Sequence, residues 1–240
     1  MKTKILSLIA LALALVVAGV IKTASKNPQS SETEVPPRRG QLQWYAQRAK
    51  VKGETRVELP APIPEYNGSS GSTTIDKALE LSGAVIAEPI REKVVSNDSQ
   101  DEIGTWYKFK IVEVLSKPAI PACPNCRFLE PPADLLPLAE DKFLISKYGG
   151  TLIIDGVKVS MSDGEWPPFQ RGKQYLILLS LYTSGVGEVM GGPRGVFAVN
   201  SDGTAEPVSG IPHPIKQGMK EKFGNLVGKL REHLKAHKAS

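Results

Sequence analysis

The fold is decided by residues 106–115, which read Trp-Tyr-Lys-Phe-Lys-Ile-Val-Glu-Val-Leu. Large apolar side chains alternate with polar ones along most of this stretch. Because successive side chains of a β-strand point to opposite faces of a sheet, this period of two predicts a half-buried strand. Residues 175–182 (Tyr-Leu-Ile-Leu-Leu-Ser-Leu-Tyr) form a nearly continuous apolar run, which is typical of a central strand covered on both faces.

Turn residues divide the sequence around these two strands into short hairpins. Asp155-Gly156 and Asp202-Gly203 each separate apolar segments, and Asp-Gly favours the type I′ turn because both central residues of that turn need positive φ. Further strands are predicted at residues 82–90, 142–145, 151–154, 157–161, 195–199 and 204–208. Strands and helices do not alternate, so residues 73–210 are predicted to be a mainly β domain, either a single antiparallel β-barrel (OB-like) or a sandwich.

Residues 1–22 indicate export. Lys2 and Lys4 precede a mostly apolar run at residues 5–21. A basic start followed by such a run is typical of a signal peptide, and its length also reaches the lower limit for a transmembrane helix. This N-terminal hydrophobic helix is therefore a signal peptide or a membrane anchor. We expect the remainder to be anchored in the inner membrane, facing the periplasm or extracellular side, or secreted after cleavage.

Residues 23–72 are rich in Pro, Ser and Gly and are predicted to be a flexible linker, since such stretches bury too little apolar surface to become ordered. Within this linker, residues 41–50 fit a short helix and residues 55–59 alternate like a short strand. Trp44 and Tyr45 indicate that this part is a short docking segment.

The charge is distributed unevenly along the chain. Residues 1–72 carry ten Lys/Arg and five Asp/Glu, residues 73–210 carry thirteen and eighteen, and residues 211–240 carry seven and two. The net charge of +5 therefore belongs to the two ends, and the predicted β domain is acidic. Nucleic-acid-binding domains concentrate basic residues on their folded part, so we predict no nucleic-acid partner.

The basic tail at residues 211–240 is predicted to be an amphipathic helix. Its apolar face consists of Ile215, Met219, Phe223, Leu226, Val227, Leu230 and Leu234. Two interpretations remain open. In the first, the helix packs on the β domain or frays in solvent. In the second, its basic side chains, among them Lys220, Lys229 and Arg231, contact an anionic membrane surface or a partner.

Histidine is absent from residues 73–210, because His213, His233 and His237 all lie in the tail. A Ser-His-Asp triad or Cys-His dyad within the domain would lack the imidazole that accepts the proton of the nucleophile. A zinc site would likewise lack ligands. No phosphate loop, dinucleotide motif or calcium loop occurs in the sequence. We therefore predict no cofactor and no metal.

Cys123 and Cys126 form a Cys-Pro-Asn-Cys motif in the proline-rich region of residues 118–138. In an oxidising compartment such a pair most often forms a disulfide. A redox or metal-binding pair and two free thiols remain alternatives. Arg127 stands where covalent haem attachment would require His.

Four acidic residues lie in or beside predicted turns: Asp155, Asp163, Glu165 and Asp202. Such residues usually bond to their own backbone, but two of them brought together would resemble the acid and base of a glycosidase.

Trp166-Pro167-Pro168-Phe169 forms a compact aromatic–proline segment. We expect this segment to cover one end of the β domain, with a small interaction patch as the alternative.

Three segments carry a resemblance to a known fold. Residues 81–86 (Leu-Ser-Gly-Ala-Val-Ile), 107–117 and 169–179 together resemble netrin-module and metalloproteinase-inhibitor-like domains, over about residues 78–182. They also resemble uncharacterised bacterial exported proteins with the same strand order. The resemblance implies a five-stranded OB-type barrel used for protein interaction. The inhibitory Cys-x-Cys start of that family is missing here, so protease inhibition is not implied and no functional residue is transferred.

These observations favour a non-enzymatic binding domain that is exported or membrane-anchored and contacts a protein or another envelope component. The alternative is a carboxylate-based hydrolase acting on envelope polysaccharide. A third possibility is a structural or adhesive scaffold at the cell surface.

Overall fold

The structure is a computed structural model that describes residues 39–60, 73–120 and 130–238. The strands in these ranges are β1 (Arg56–Pro60), β2 (Gly83–Ser96), β3 (Ile103–Ser116), β4 (Lys142–Tyr148), β5 (Gly150–Ile154), β6 (Val157–Ser162), β7 (Gln174–Leu181), β8 (Gly187–Val189), β9 (Val196–Val199) and β10 (Ala205–Pro207). The helices are α1 (Gln41–Val51), α2 (Ile75–Leu81), α3 (Pro214–Phe223) and α4 (Val227–Lys238), with 3-10 turns at Ala133–Leu135 and Gly192–Gly195.

The described strands form two sheets. The larger sheet has the order β10-β9-β7-β2-β3-β4, with β8 paired to β7, and the smaller sheet has the order β1-β6-β5. The predicted mainly β fold is confirmed, but no continuous ladder among the described strands closes into a barrel. One isolated parallel bridge, between Leu144 of β4 and Val186, joins the β4 edge to the segment that leads into β8.

The prediction of purely antiparallel pairing is wrong at one ladder. β1 runs parallel to β6, with Arg56 opposite Lys158 and Leu59 opposite Met161. Because β1 precedes the predicted domain boundary at residue 73, its partner was not apparent from local turn signals. Thus β1 is a strand of the smaller sheet, and the docking segment packs on that sheet.

The decisive strand β3 is buried more completely than its alternation predicted. Residues 103–107 are buried on both faces, and exposure alternates only farther along the strand. On one face, Trp106 packs with Leu135, Leu144 and Val186. Tyr107 on the other face belongs to an aromatic cluster, which covers that side of β3. Long-range packing therefore buries both faces at the start of β3, whereas the alternating part of the strand is half-buried as predicted.

The aromatic cluster lies on one face of the larger sheet. It contains Tyr107, Phe109, Phe143, Trp166, Phe169 and Tyr175 among buried aliphatic residues. The rings of Phe109 and Phe143 stack with centroids 5.2 Å apart, which fixes β3 against β4. Offset and edge-to-face aromatic pairs add about 0.5–1.5 kcal/mol beyond the burial of their surface.

The C-terminal tail packs on the opposite face of the larger sheet. Ile215, Met219, Phe223 and Leu230 are buried against β2, β7, β9 and α2. The tail is two helices rather than one, because Gly224 takes a left-handed conformation with φ of 57° and ends α3. Of the interpretations offered for the tail, the structure therefore shows the one in which its apolar face packs on the β domain.

The N-terminal docking segment packs through one side of α1. Leu42, Ala46 and Ala49 recur at helical spacing and are buried against Val157 and Val159 of β6. The predicted signal or anchor at residues 1–22 lies outside the described residues, as do Cys123 and Cys126. Among the helices that the structure describes, none has the length and apolar character needed to cross a membrane.

Two glycines in the C-terminal helices make a matched test of this packing. A Cβ added at Gly218 would lie 2.5 Å from Cγ2 of Ile75 in α2, whereas a Cβ at Gly228 would meet nothing within 4 Å. We expect Gly228→Ala to raise the free energy of unfolding by about 0.5–1 kcal/mol through helix propensity. Gly218→Ala should instead lower it by about 1 kcal/mol or more, because overpacking outweighs the same gain. Urea unfolding measures both, and equal stabilisation by the two variants would contradict the close contact between α2 and α3.

Candidate functional site

A cleft of about 580 Å³ opens where the end of the larger sheet faces the smaller sheet. Its size lies within the range usual for small-molecule sites. Charged side chains from three strands and the segment after β6 line it: Arg56, Glu58, Glu92, Lys147 and Asp163. A second cleft, of about 610 Å³, is lined around residues 95–99 by side chains that are all exposed or half-exposed. The first cleft is the stronger candidate because a buried charge forms part of its wall.

Two charges in this wall are buried, the ammonium of Lys147 and the carboxylate of Asp163. Residues two apart on a strand share a face, so Phe143, Ile145 and Lys147 form one row along the inner face of β4. The row passes from the aromatic cluster to the cleft and ends with Lys147, which is only 8% exposed. Its ammonium donates a hydrogen bond to the backbone carbonyl of Trp166. A lysine is rarely buried to this extent unless its charge is paired.

Burial lowers the pKa of Lys147 from 10.5 to about 8, and the negative charge of Asp163 opposes this shift. Asp163 is itself held in a tight turn. Its Oδ1 accepts hydrogen bonds from the backbone N–H of Glu165 at 3.0 Å and of Trp166 at 3.2 Å. The turn thus places a carboxylate and the Trp166 carbonyl near the same ammonium. A strongly shifted pKa in a cleft is a recognised sign of a functional site.

Tyr107 and Glu92 form the side of the cleft contributed by β3 and β2. The two residues are directly opposite each other in the β2–β3 ladder. Burial, assisted by the charge of Glu92, raises the pKa of Tyr107 to about 12. The Tyr107 hydroxyl therefore remains protonated at any physiological pH. Glu92 is exposed to solvent on the cleft surface.

The structure does not gather the four predicted carboxylates. Asp163 lines the cleft, whereas Asp155 lies in the β5–β6 turn and Asp202 in the β9–β10 turn. Asp202 accepts a hydrogen bond from the backbone N–H of Thr204, as expected of a turn residue. Glu165 points to the 3-10 turn, where it pairs with Arg194 at 3.4 Å. The acidic residues that do accompany Asp163 in the cleft are Glu58 and Glu92, which the sequence reasoning did not select.

Trp166 and Phe169 are both buried, with 4% and 6% exposure. Phe169 makes edge-to-face contacts with Tyr107, Phe109 and Tyr175 at centroid distances of 4.9–5.0 Å. This burial agrees with the covering role and leaves Phe169 too little surface for the interaction patch. Trp166 also contributes to the wall of the cleft.

The predicted basic interaction residues have different surroundings. Lys220 and Lys229 are exposed on α3 and α4. Arg231 instead forms a bidentate pair with Glu113 of β3, through two hydrogen bonds of 2.7 Å. This pairing ties α4 to the larger sheet, so Arg231 already has an intramolecular partner.

The Arg231–Glu113 pair leads to a prediction about pH. Hydrogen bonding by Arg231 lowers the pKa of Glu113 below its ordinary value of 4.5. Its stabilisation is therefore complete above that value and is lost as pH falls through the lower, folded-state pKa. Because both side chains are about one-third exposed, Arg231→Met should lower the free energy of unfolding at pH 7 by only about 0.5–1 kcal/mol. The loss should vanish in acid, whereas Lys229→Met, on the same helix, should change little at either pH.

No cluster of three or more potential metal-ligating side chains occurs among the described residues. The tail histidine His213 is buried at the start of α3, where its Nδ1 accepts a hydrogen bond from the backbone N–H of Ile215. It therefore acts as a helix cap in the fold.

The chain matches no family model, no curated protein and no solved structure. Its function is therefore argued from the cleft itself.

Proposed function

We propose that this protein is a non-enzymatic binding domain, exported and either membrane-anchored or secreted, and that the cleft containing Lys147 is its ligand site. The observation that carries this proposal is the burial of an ammonium group in a cleft wall. Burial of this ammonium together with the Asp163 carboxylate costs desolvation that two apolar side chains would avoid, so the retention of both charges is easier to understand as a contribution to binding. The partner is a component of the envelope or a protein, and the acidic β domain disfavours nucleic acid.

We further propose that the larger sheet is a partly open barrel of the OB type, as the resemblance to netrin-module domains implied. Strands β7, β2, β3 and β4 are consecutive neighbours, and β8 returns to pair with β7. The Leu144–Val186 bridge and the hydrogen bond from Leu144 N–H to the Gly185 carbonyl, 3.0 Å long, support contact between β4 and the segment that enters β8. OB-type domains use one barrel face and its bordering loops to bind ligands.

The binding proposal is tested with the full-length protein and soluble fragments of its own cell envelope. Hydrogen exchange of the protein and the masses of the fragments are measured in the same mixtures. We expect slower exchange in the strands that line the cleft, at residues 92–94, 105–107 and 147–151, with unchanged fragment masses. Protection elsewhere with an unchanged cleft would contradict the ligand site, and fragment cleavage would contradict the non-enzymatic role.

A carboxylate-based hydrolase of envelope polysaccharide is the second candidate. It is favoured by the presence of Glu58, Glu92 and Asp163 in one cleft, since glycosidases use two such residues. In that case the fragment masses would decrease with time, and Glu92→Gln or Asp163→Asn would abolish the change. Lysine-directed binding predicts no turnover in the parent protein.

Export and the cysteine pair are tested on protein recovered from the native host. The mass of the mature N-terminus distinguishes a cleaved signal from a retained anchor at residues 1–22. Thiol labelling before and after reduction reports on Cys123 and Cys126, which we expect to be joined in a disulfide. An intact chain recovered from the cytoplasm, with both thiols reactive, would contradict the proposed location.

A further inference from the structure

We propose that the outward side of α1, the side turned away from the smaller sheet, contacts an anionic membrane surface. The inward side of α1 is already packed, because Leu42, Ala46 and Ala49 are buried against that sheet. Successive helical residues are rotated by about 100°, which places Trp44 and Val51 on the opposite side. Val51 is 89% exposed and Trp44 is half-exposed. The helix therefore presents apolar side chains on both of its sides.

Basic side chains surround Trp44 and Val51. The guanidinium of Arg48, one turn from Trp44, lies 5.0 Å from the centre of its ring. Lys50 and Lys52 are exposed at the C-terminal end of α1, and residues 39–53 contain no Asp or Glu. Lysines at this end also complement the helix dipole, but the dipole does not account for outward apolar residues. Tryptophan and aliphatic residues framed by Lys and Arg are typical of helices that lie on anionic bilayers.

The position of α1 in the chain favours a membrane as the occupant of this surface. Residues 1–22 are the predicted signal or anchor, and residues 23–38 join them to the start of the described chain. Sixteen residues reach at most ~55 Å when fully extended, so a retained anchor keeps α1 within that distance of the bilayer. Near an anionic surface each Lys or Arg strengthens attraction about fivefold. The inference uses α1 and not the cleft, so it goes beyond the proposed ligand site.

The C-terminal tail is the other basic surface, and it fits a membrane less well. Arg231 is paired with Glu113, and Lys222 is paired with Asp76. The apolar face of the tail is buried on the larger sheet. Among the residues of the tail that the structure describes, no large apolar side chain is exposed. The tail thus lacks the combination of free apolar surface and positive charge that α1 has.

The test uses the full-length protein reconstituted into two kinds of vesicle, one of phosphatidylcholine alone and one containing a quarter phosphatidylglycerol. The lipids carry bromine on their acyl chains, which quenches the emission of tryptophan in contact with them. Trp106 and Trp166 are 0% and 4% exposed, so quenching reports on Trp44, and Trp44→Phe provides the background. We expect strong quenching in the anionic vesicles, little in the neutral ones, and its loss at high salt, which screens surface charges.

Variants at exposed positions assign the contact without risk to folding. Lys50→Gln combined with Lys52→Gln should lower the ratio of membrane-contacting to free α1 at least tenfold. Val51→Glu, which places a negative charge in the centre of the outward side, should also remove the quenching. Lys220→Gln combined with Lys229→Gln removes the same charge from the tail and should leave the quenching unchanged.

Equal quenching in neutral and anionic vesicles would overturn the inference, and so would the absence of quenching from both. Loss of quenching in the tail variant but not in the α1 variant would assign the membrane contact to the tail instead. The cleft is tested separately by its protection from hydrogen exchange. A failure of the membrane contact is therefore distinguishable from a failure of the proposed ligand site.

Discussion

Phe169→Ala is expected to lower the free energy of unfolding by about 3–5 kcal/mol, the usual cost of emptying a buried aromatic site. Phe169 is 6% exposed and its ring contacts those of Tyr107, Phe109, Trp166 and Tyr175. Removal of the ring would leave a cavity at the point where the segment after β6 covers the inner face of the larger sheet. Urea unfolding followed by tryptophan fluorescence measures the loss.

Two control variants make this prediction specific to the covering role. Phe169→Leu retains much of the volume but none of the aromatic contacts, so it should have a smaller effect than Phe169→Ala. Ile153→Ala removes an apolar side chain that is 76% exposed on β5 and should change the free energy of unfolding by less than about 0.5 kcal/mol. A comparably small effect of Phe169→Ala would mean that residue 169 is a surface residue, as in the alternative interpretation of this segment as an interaction patch.

Local sequence signals were sufficient for the elements whose partners are close in sequence. The Asp155-Gly156 turn joins β5 to β6, and Asp155 has the positive φ, 50°, that the type I′ turn requires. The alternation at residues 106–115 lies within β3. The helical spacing of Ile215, Met219 and Phe223 identified the face that is buried. In each case the local structure is determined by the φ that a turn residue must adopt or by the spacing of apolar residues along the chain.

The remaining features depend on contacts between distant parts of the chain. β1 joins β6 across a sequence separation of about one hundred residues, and no turn signal marks such a parallel ladder. The cleft likewise combines β1, β2, β3 and β4, so residue spacing along the chain could not assemble it. One signal for Lys147 was present. It occupies the position after Phe143 and Ile145 in the inner row of β4, where a third apolar residue would be usual.

The contribution of Lys147 to the free energy of unfolding is expected to increase between pH 8 and pH 10.5. Its pKa is about 8 in the folded protein and 10.5 ordinarily, so in this interval the unfolded chain binds more protons at this site. The contribution of Lys147 therefore rises with pH across the interval and is lost as pH falls back through 8. The difference between these two pKa values corresponds to a change of up to about 3 kcal/mol in the free energy of unfolding. Tyr107 acts in the opposite direction as pH approaches 10, because its pKa is raised from 10.0 to about 12 and the unfolded chain therefore loses this proton first.

The measurement is urea unfolding of the parent protein and Lys147→Met from pH 7 to pH 10.5. Subtracting the two profiles removes every other titrating group, and we expect the difference to move in favour of the parent protein as pH rises. Lys142→Met, a half-exposed lysine on the same strand, should give a flat difference. Parallel profiles for Lys147→Met would mean that the amine is solvated as in the unfolded chain. A rising difference would establish that the charged amine opposes folding at neutral pH, which is the energetic signature expected of a group retained for binding.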